Sequence, residues 1–169
     1  MKKYLILFVI IISMVMAGCN NDTDPGTTAT SAISGRWTVS WELKNNGVWG
    51  DQLGGKVPVY TYNTAVNVDS LVWLKDANCL SGLTTLHSNV NGLAFYSDNA
   101  TSASKTSYLN QLEGSSSVTY KVIKGLIIKG AATTPSGYAA DSIRYYVVCG
   151  TDTFKVAGFR YTGFPEDEE

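Results

Sequence analysis

The chain has 169 residues, 44% of them hydrophobic and 16% charged, with 13 basic against 14 acidic side chains and a net charge of −1. That length suits one domain around a single core. The lack of a basic stripe excludes nucleic acid as a partner, because phosphate binding needs concentrated Lys and Arg.

The chain opens with Met1-Lys2-Lys3, an uncharged and mostly apolar run over residues 4–15, and then Met16-Ala17-Gly18-Cys19. A charged start, an apolar run and a small-residue site directly before Cys predict a lipoprotein signal peptide over residues 1–18. The apolar run is too short to span a bilayer as a helix. Cys19 becomes the acylated N-terminus on this reading, and several palmitate-type chains are needed for firm anchoring. Residues 19–33 are small, polar and rich in Thr and Asp, and they predict a flexible tether. The protein is therefore expected to be exported and lipid-anchored, at the outer membrane of a Gram-negative bacterium, with residues 34–169 as its folded domain. Loss of Lys2 and Lys3 with the leader leaves 11 basic against 14 acidic residues, a net charge of −3.

Within the domain, residues 36–44 alternate, with Trp37, Val39, Trp41 and Leu43 on one side, which is a strand with one buried face. A loop carrying Trp49 follows. Residues 57–68 predict a second strand, 71–74 a third, and 89–97 a fourth that bends at Gly92. The polar run 98–106 predicts loop. Residues 118–123 and 126–128 flank Lys124-Gly125, which is either a tight turn between two strands or a bend in one. Residues 143–149 and 153–164 are joined by Gly150-Thr151-Asp152 as a hairpin. The acidic end, residues 166–169, predicts a solvated terminus. After the leader no segment of ten or more residues has strong helical periodicity. The pattern is that of an all-β barrel or sandwich. Cys79 and Cys149 are candidates for a disulfide or for two separate buried thiols.

The first strand opens with Gly35-Arg36-Trp37 and the last contains Arg160, which resembles the lipocalin and calycin pattern. In that pattern an Arg near the chain end packs over the Trp of a Gly-x-Trp and closes one end of the barrel. The stretches Thr61-Tyr62-Asn63-Thr64-Ala65, Gly130-Ala131-Ala132-Thr133-Thr134-Pro135-Ser136-Gly137, Asp141-Ser142-Ile143 and Gly158-Phe159-Arg160-Tyr161-Thr162-Gly163-Phe164 resemble the calycin-like "lipid-binding putative hydrolase" family of small bacterial lipoproteins. The resemblance implies an antiparallel calycin-like barrel of about eight strands and a hydrophobic ligand. It implies hydrolysis only through the family name, because a fold transfers with more authority than a reaction.

The residues supply no complete catalytic set. His87 lies in a polar stretch, and Ser81, Ser88 and Ser136 have no spacing that sets them against it. There is no Gly-x-Ser-x-Gly elbow, and Glu42, Asp69, Asp76, Asp98, Glu113 and Asp141 form no evident pair. One His and two distant cysteines lack metal-ligand spacing, and nothing implies a cofactor. The aromatics are the better lead, and Tyr62, Trp73 and Tyr120 are the candidates for lining a ligand site inside the barrel. The expected function is binding of a small apolar or amphiphilic, lipid-like molecule without turnover. A surface glycan-binding module, an interaction protein and a hydrolase are the alternatives.

Overall fold

Residues 27–45 and 48–168 are described in this computed structural model of the protein. The predicted signal peptide, Cys19 and residues 20–26 of the predicted tether lie outside them. Trp37, Val39 and Trp41 turn inward from β1 (Gly35–Asn45) and are wholly buried. β2 (Val48–Asp51) folds back on β1, and β3 (Val57–Asn63), β4 (Leu71–Lys75), β5 (Leu83–Asn89) and β6 (Ala94–Tyr96) follow. Then come β7 (Ala100–Ser102), the short helix α1 (Tyr108–Leu112) and three long strands, β8 (Val118–Thr133), β9 (Ala139–Cys149) and β10 (Asp152–Arg160). A 3-10 turn at Pro165–Glu168 ends the described chain.

Neighbouring strands pair in the order β10-β9-β8-β6-β5-β4-β3-β1, and β10 pairs with β1 from Trp37↔Arg160 to Leu43↔Phe154, which closes the circle. The chain thus forms a closed antiparallel barrel of eight strands, the all-β class its alternation predicts. Closure leaves the eight wall strands no free edge, the strongest protection a sheet has against edge-to-edge association. β2 extends β1 outside the barrel, and β7 continues the line of β6 along β8.

Several boundaries differ from the sequence reading. The strand expected over 57–68 stops at Asn63, and the loop around Trp49 is β2. Part of the polar stretch before Asn91 is strand β5, because Thr84 faces inward and bonds the Tyr120 hydroxyl at 2.5 Å. The loop expected over 98–106 contains β7. Of the two readings at Lys124-Gly125 the bent strand is the one formed, since β8 runs through with a register shift between Ile123 and Leu126.

Both chain ends are packed further than expected. Within the predicted tether Thr30 and Ile33 are buried, and Thr30 bonds Asn63 at 3.1 Å. The acidic terminus is docked and not merely solvated. Asp167 is buried and accepts bonds from the Ser136 backbone and from the Thr162 hydroxyl, while Glu168 pairs with Arg36 at 2.7 Å. Burial alone would raise the Asp167 carboxyl, but the bonds from Thr162, Ser136 and Thr134 outweigh it and hold the group below the usual carboxylate range.

Candidate functional site

The end of the barrel where β1 begins is shut by Trp37 and Arg160. The Arg160 guanidinium lies 4.5 Å from the centre of the Trp37 ring and donates to the Ser34 carbonyl at 2.7 Å and to Asp141 at 3.3 Å. Trp37 donates through its indole to Thr61 at 2.8 Å. A Cβ on Gly35 would run into the guanidinium and lie 3.0 Å from its Cζ, so any other residue here displaces Arg160 from these contacts. The opposite end is covered by the buried Leu80 and Leu109. Beneath them Asp76 is fully buried, accepting from the Trp41 indole at 3.0 Å and from the backbone of Asn78 and Cys79 at 3.1 and 2.9 Å.

Between these ends the barrel is filled. Val39, Trp41, Val59, Val72, Leu74, Leu86, Val122, Tyr145, Val147, Phe154 and Val156 all have 0% exposure. A chamber wide enough for a ligand would leave accessible surface on its walls. The interior site expected from Tyr62, Trp73 and Tyr120 therefore needs correction. Tyr120 does point inward, but Val59 and Thr61 take the inward positions of β3, and Val72 and Leu74 take those of β4. Tyr62 and Trp73 are left on the outer face, where they pair across the strands with ring centres 5.7 Å apart. The cause is volume, since Trp37, Trp41, Tyr145 and Phe154 already occupy the lumen and leave room only for smaller groups.

Cys79 and Cys149 are both buried and free, so no disulfide joins them. Burial pushes both thiols up, Cys149 to about 11 with Glu113 beside it, which makes them poor nucleophiles.

His87 lies on the outer face of β5, with Nε2 3.0 Å from Asp98 and its ring stacked on Tyr96 at 5.0 Å. The serines that might have completed a catalytic set are engaged elsewhere. Ser88 donates to the Asp69 carbonyl, Ser81 accepts from the backbone of Ala103 and Ser104, and Ser136 bonds Thr134. Among the described residues no cluster of three or more His, Cys, Asp or Glu could hold a metal.

The outer wall does offer clefts, and two of them meet at Lys124. One, of about 290 Å³, is lined by Lys44, Trp49, Ile123, Lys124, Tyr146 and Thr153. The β1–β2 hairpin folds Trp49 over Tyr146, ring centres 6.1 Å apart, and the ammonium groups of Lys44 and Lys155 lie 5.9 and 5.3 Å from the indole. The second cleft, of about 500 Å³, is lined by Ser70, His87, Phe95, Tyr96, Lys124 and Gly125 among others. Both volumes are near or within the range of small-molecule sites.

The bulge in β8 builds this arrangement. Lys124 has φ of +52°, a left-handed conformation that costs a lysine on the order of 1 kcal/mol. Gly125 packs under Phe95, and a Cβ there would come within 2.6 Å of the Phe95 carbonyl oxygen. The kink turns Lys124 outward between two aromatic walls. Lys124-Gly125 was visible in the sequence as a bend, but Trp49, Tyr146 and Lys124 become neighbours only through the closed sheet.

The arrangement defines a class of protein, a closed calycin-like barrel with aromatic clefts on its outer wall. The chain belongs to the "lipid-binding putative hydrolase" family, whose profile matches residues 22–165. No curated protein matches it. Family and barrel together support lipid binding in general.

Proposed function

We propose that the protein is an exported lipoprotein, anchored through Cys19, whose barrel binds an anionic amphiphile without turnover in the clefts that meet at Lys124. The observation that carries the reading is the bulge, which holds a lysine in a strained backbone conformation between two aromatic walls. Asn67, Ser81 and Leu93 share this left-handed conformation, and of the four only Lys124 lines both clefts, where the strain points to use. A fatty acyl chain lies along Trp49, Tyr146 and Ile123, and its carboxylate or phosphate pairs with Lys124 and Lys44.

Displacement of a fluorescent fatty acid tests this. Lys124→Gly removes the charge and the strain together, so it weakens palmitate binding by about three- to tenfold while stability stays within about 1 kcal/mol. Trp49→Ala weakens binding at least as much. Equal competition by palmitate and by the matching uncharged alcohol would contradict an anionic ligand, and glycan-array hits without displacement would favour the glycan module. Nitrophenyl esters are expected to hydrolyse no faster than in buffer; turnover lost in His87→Ala would establish the hydrolase instead.

The anchor is tested separately. Cys19→Ala should move the protein from the membrane fraction to the soluble one, or leave an uncleaved precursor. Normal cleavage with unchanged membrane partition would count against acylation at Cys19.

A further inference from the structure

We infer that the end of the barrel closed by Trp37 and Arg160 lies against the lipid bilayer, with Val66, Tyr138 and Phe164 in its interfacial layer. The inference rests on the anchoring proposed above and adds an orientation to it. Because the strands alternate in direction, one end gathers the segment before β1, the β3–β4 loop, the β8–β9 turn and the segment after β10. Those connections carry Val66, Tyr138 and Phe164, which are 72%, 56% and 42% exposed. Tyr138 and Phe164 stack with ring centres 5.0 Å apart and planes 2° from parallel. The docked C-terminal turn holds Phe164 in place through Asp167. Aromatic rings of this kind favour the boundary between headgroups and acyl chains.

Exposed apolar side chains also occur at the opposite end, at Val48, Leu83 and Leu112. Two observations choose between the ends. The described chain begins at Thr27, and its first residues are tied to the closed end. The Ala29 amide donates to Asn67 at 3.0 Å, beside Val66, and Thr30 bonds Asn63. The eight residues from Cys19 to Gly26 reach at most about 29 Å, so an acylated Cys19 keeps this end near the lipid. The basic charges there are matched: Arg36 pairs with Glu168, and Asp141 pairs with both Lys129 and Arg160, while the exposed Asp69 and Glu166 are in no ion pair among the described residues; the far end presents Lys44, Lys75 and Lys105 in exposed positions. A surface of exposed aromatic rings whose unpaired charges are acidic suits a neutral phosphatidylcholine interface and not an anionic one. Ser70 and Asn89, at this same end, line the larger cleft, so an amphiphile leaving the bilayer meets the site directly.

The test uses the mature protein as the cell processes it, mixed with phosphatidylcholine vesicles and carrying a small environment-sensitive dye on a single introduced cysteine at Tyr138→Cys, Phe164→Cys or Leu112→Cys. The native Cys79 and Cys149 are buried and do not compete for label in the folded protein. Doxyl-labelled phosphatidylcholine should remove most of the emission at 138 and 164 and leave that at 112 unchanged. A protein that floats with the vesicles but shows equal, weak quenching at all three positions overturns the orientation alone. A protein that fails to float overturns the anchor, and the orientation with it. Labelling at two independent positions of the same end keeps the result from resting on one variant's folding.

Discussion

Gly158→Ala should destabilise the domain by about 3 kcal/mol or more and lower its melting temperature by on the order of 10 °C. Gly158 lies opposite Val39, where β10 meets β1 and the barrel closes. A Cβ there would press into the Thr38 carbonyl and come within 2.7 Å of the Val39 Cα and 2.8 Å of the Thr38 carbonyl carbon. These are backbone atoms, so no rotamer change relieves the overlap, and the two strands must part where all of the closing hydrogen bonds lie. Gly55→Ala is the control, because nothing lies within 4 Å of its Cβ position and its φ is not left-handed. That variant should melt within a degree or two of the wild type. A Gly158→Ala protein that does the same would mean that β1 and β10 are not so closely apposed.

The second large effect is a pH dependence set by Asp76. Burial pushes its carboxyl from 3.8 up to about 6, although the bonds from Cys79, Trp41 and Asn78 favour the charged form. In the unfolded chain the group titrates near its ordinary value, so between pH 4 and 6 the folded state binds the extra proton. Stability from this group is fully present below the unfolded pKa and is lost as pH rises through the folded one. The difference amounts to about 2 kcal/mol between pH 4 and pH 7. Asp141 and Asp167 are shifted the other way, and their contributions are lost only as pH falls below the normal carboxylate range. Urea unfolding should therefore show greater stability at pH 4.5 than at pH 7. Asp76→Asn should flatten that slope, and at low pH it should be the weaker protein, because its amide sets a donor against the Trp41 indole. An unchanged slope in Asp76→Asn would assign the titration to another group.

How far the sequence revealed this molecule depends on the range of the interactions involved. The first strand was legible because Trp37, Val39 and Trp41 alternate with polar residues and all point inward. The closure by Gly35, Trp37 and Arg160 was legible only through a family pattern, since its contacts span the whole chain. Parity failed at β3 and β4, where both phases of the alternation are apolar or aromatic. Local pattern does not say that the lumen is already full, and that fullness sends Tyr62 and Trp73 outward. β5 was missed because its inward Thr84 depends on the Tyr120 hydroxyl, 36 residues away. The docked terminus depends likewise on Ser136, 31 residues before Asp167. The candidate site is the extreme case. Lys124 marked a bend, but its aromatic neighbours come from β2, β6 and β9, and only closure of the sheet brings them together.

The most direct test is to map the amide chemical shifts of the isotopically labelled protein while sodium palmitate is added below its micellar concentration. Binding in the outer clefts predicts saturable shifts confined to Lys44, Trp49, Ile123, Lys124, Gly125 and Tyr146 and their neighbours, and their loss in Lys124→Gly. Shifts centred on inward-facing positions such as Val72, Tyr120 and Tyr145 would contradict it, because they would mean that the barrel opens and takes the ligand inside.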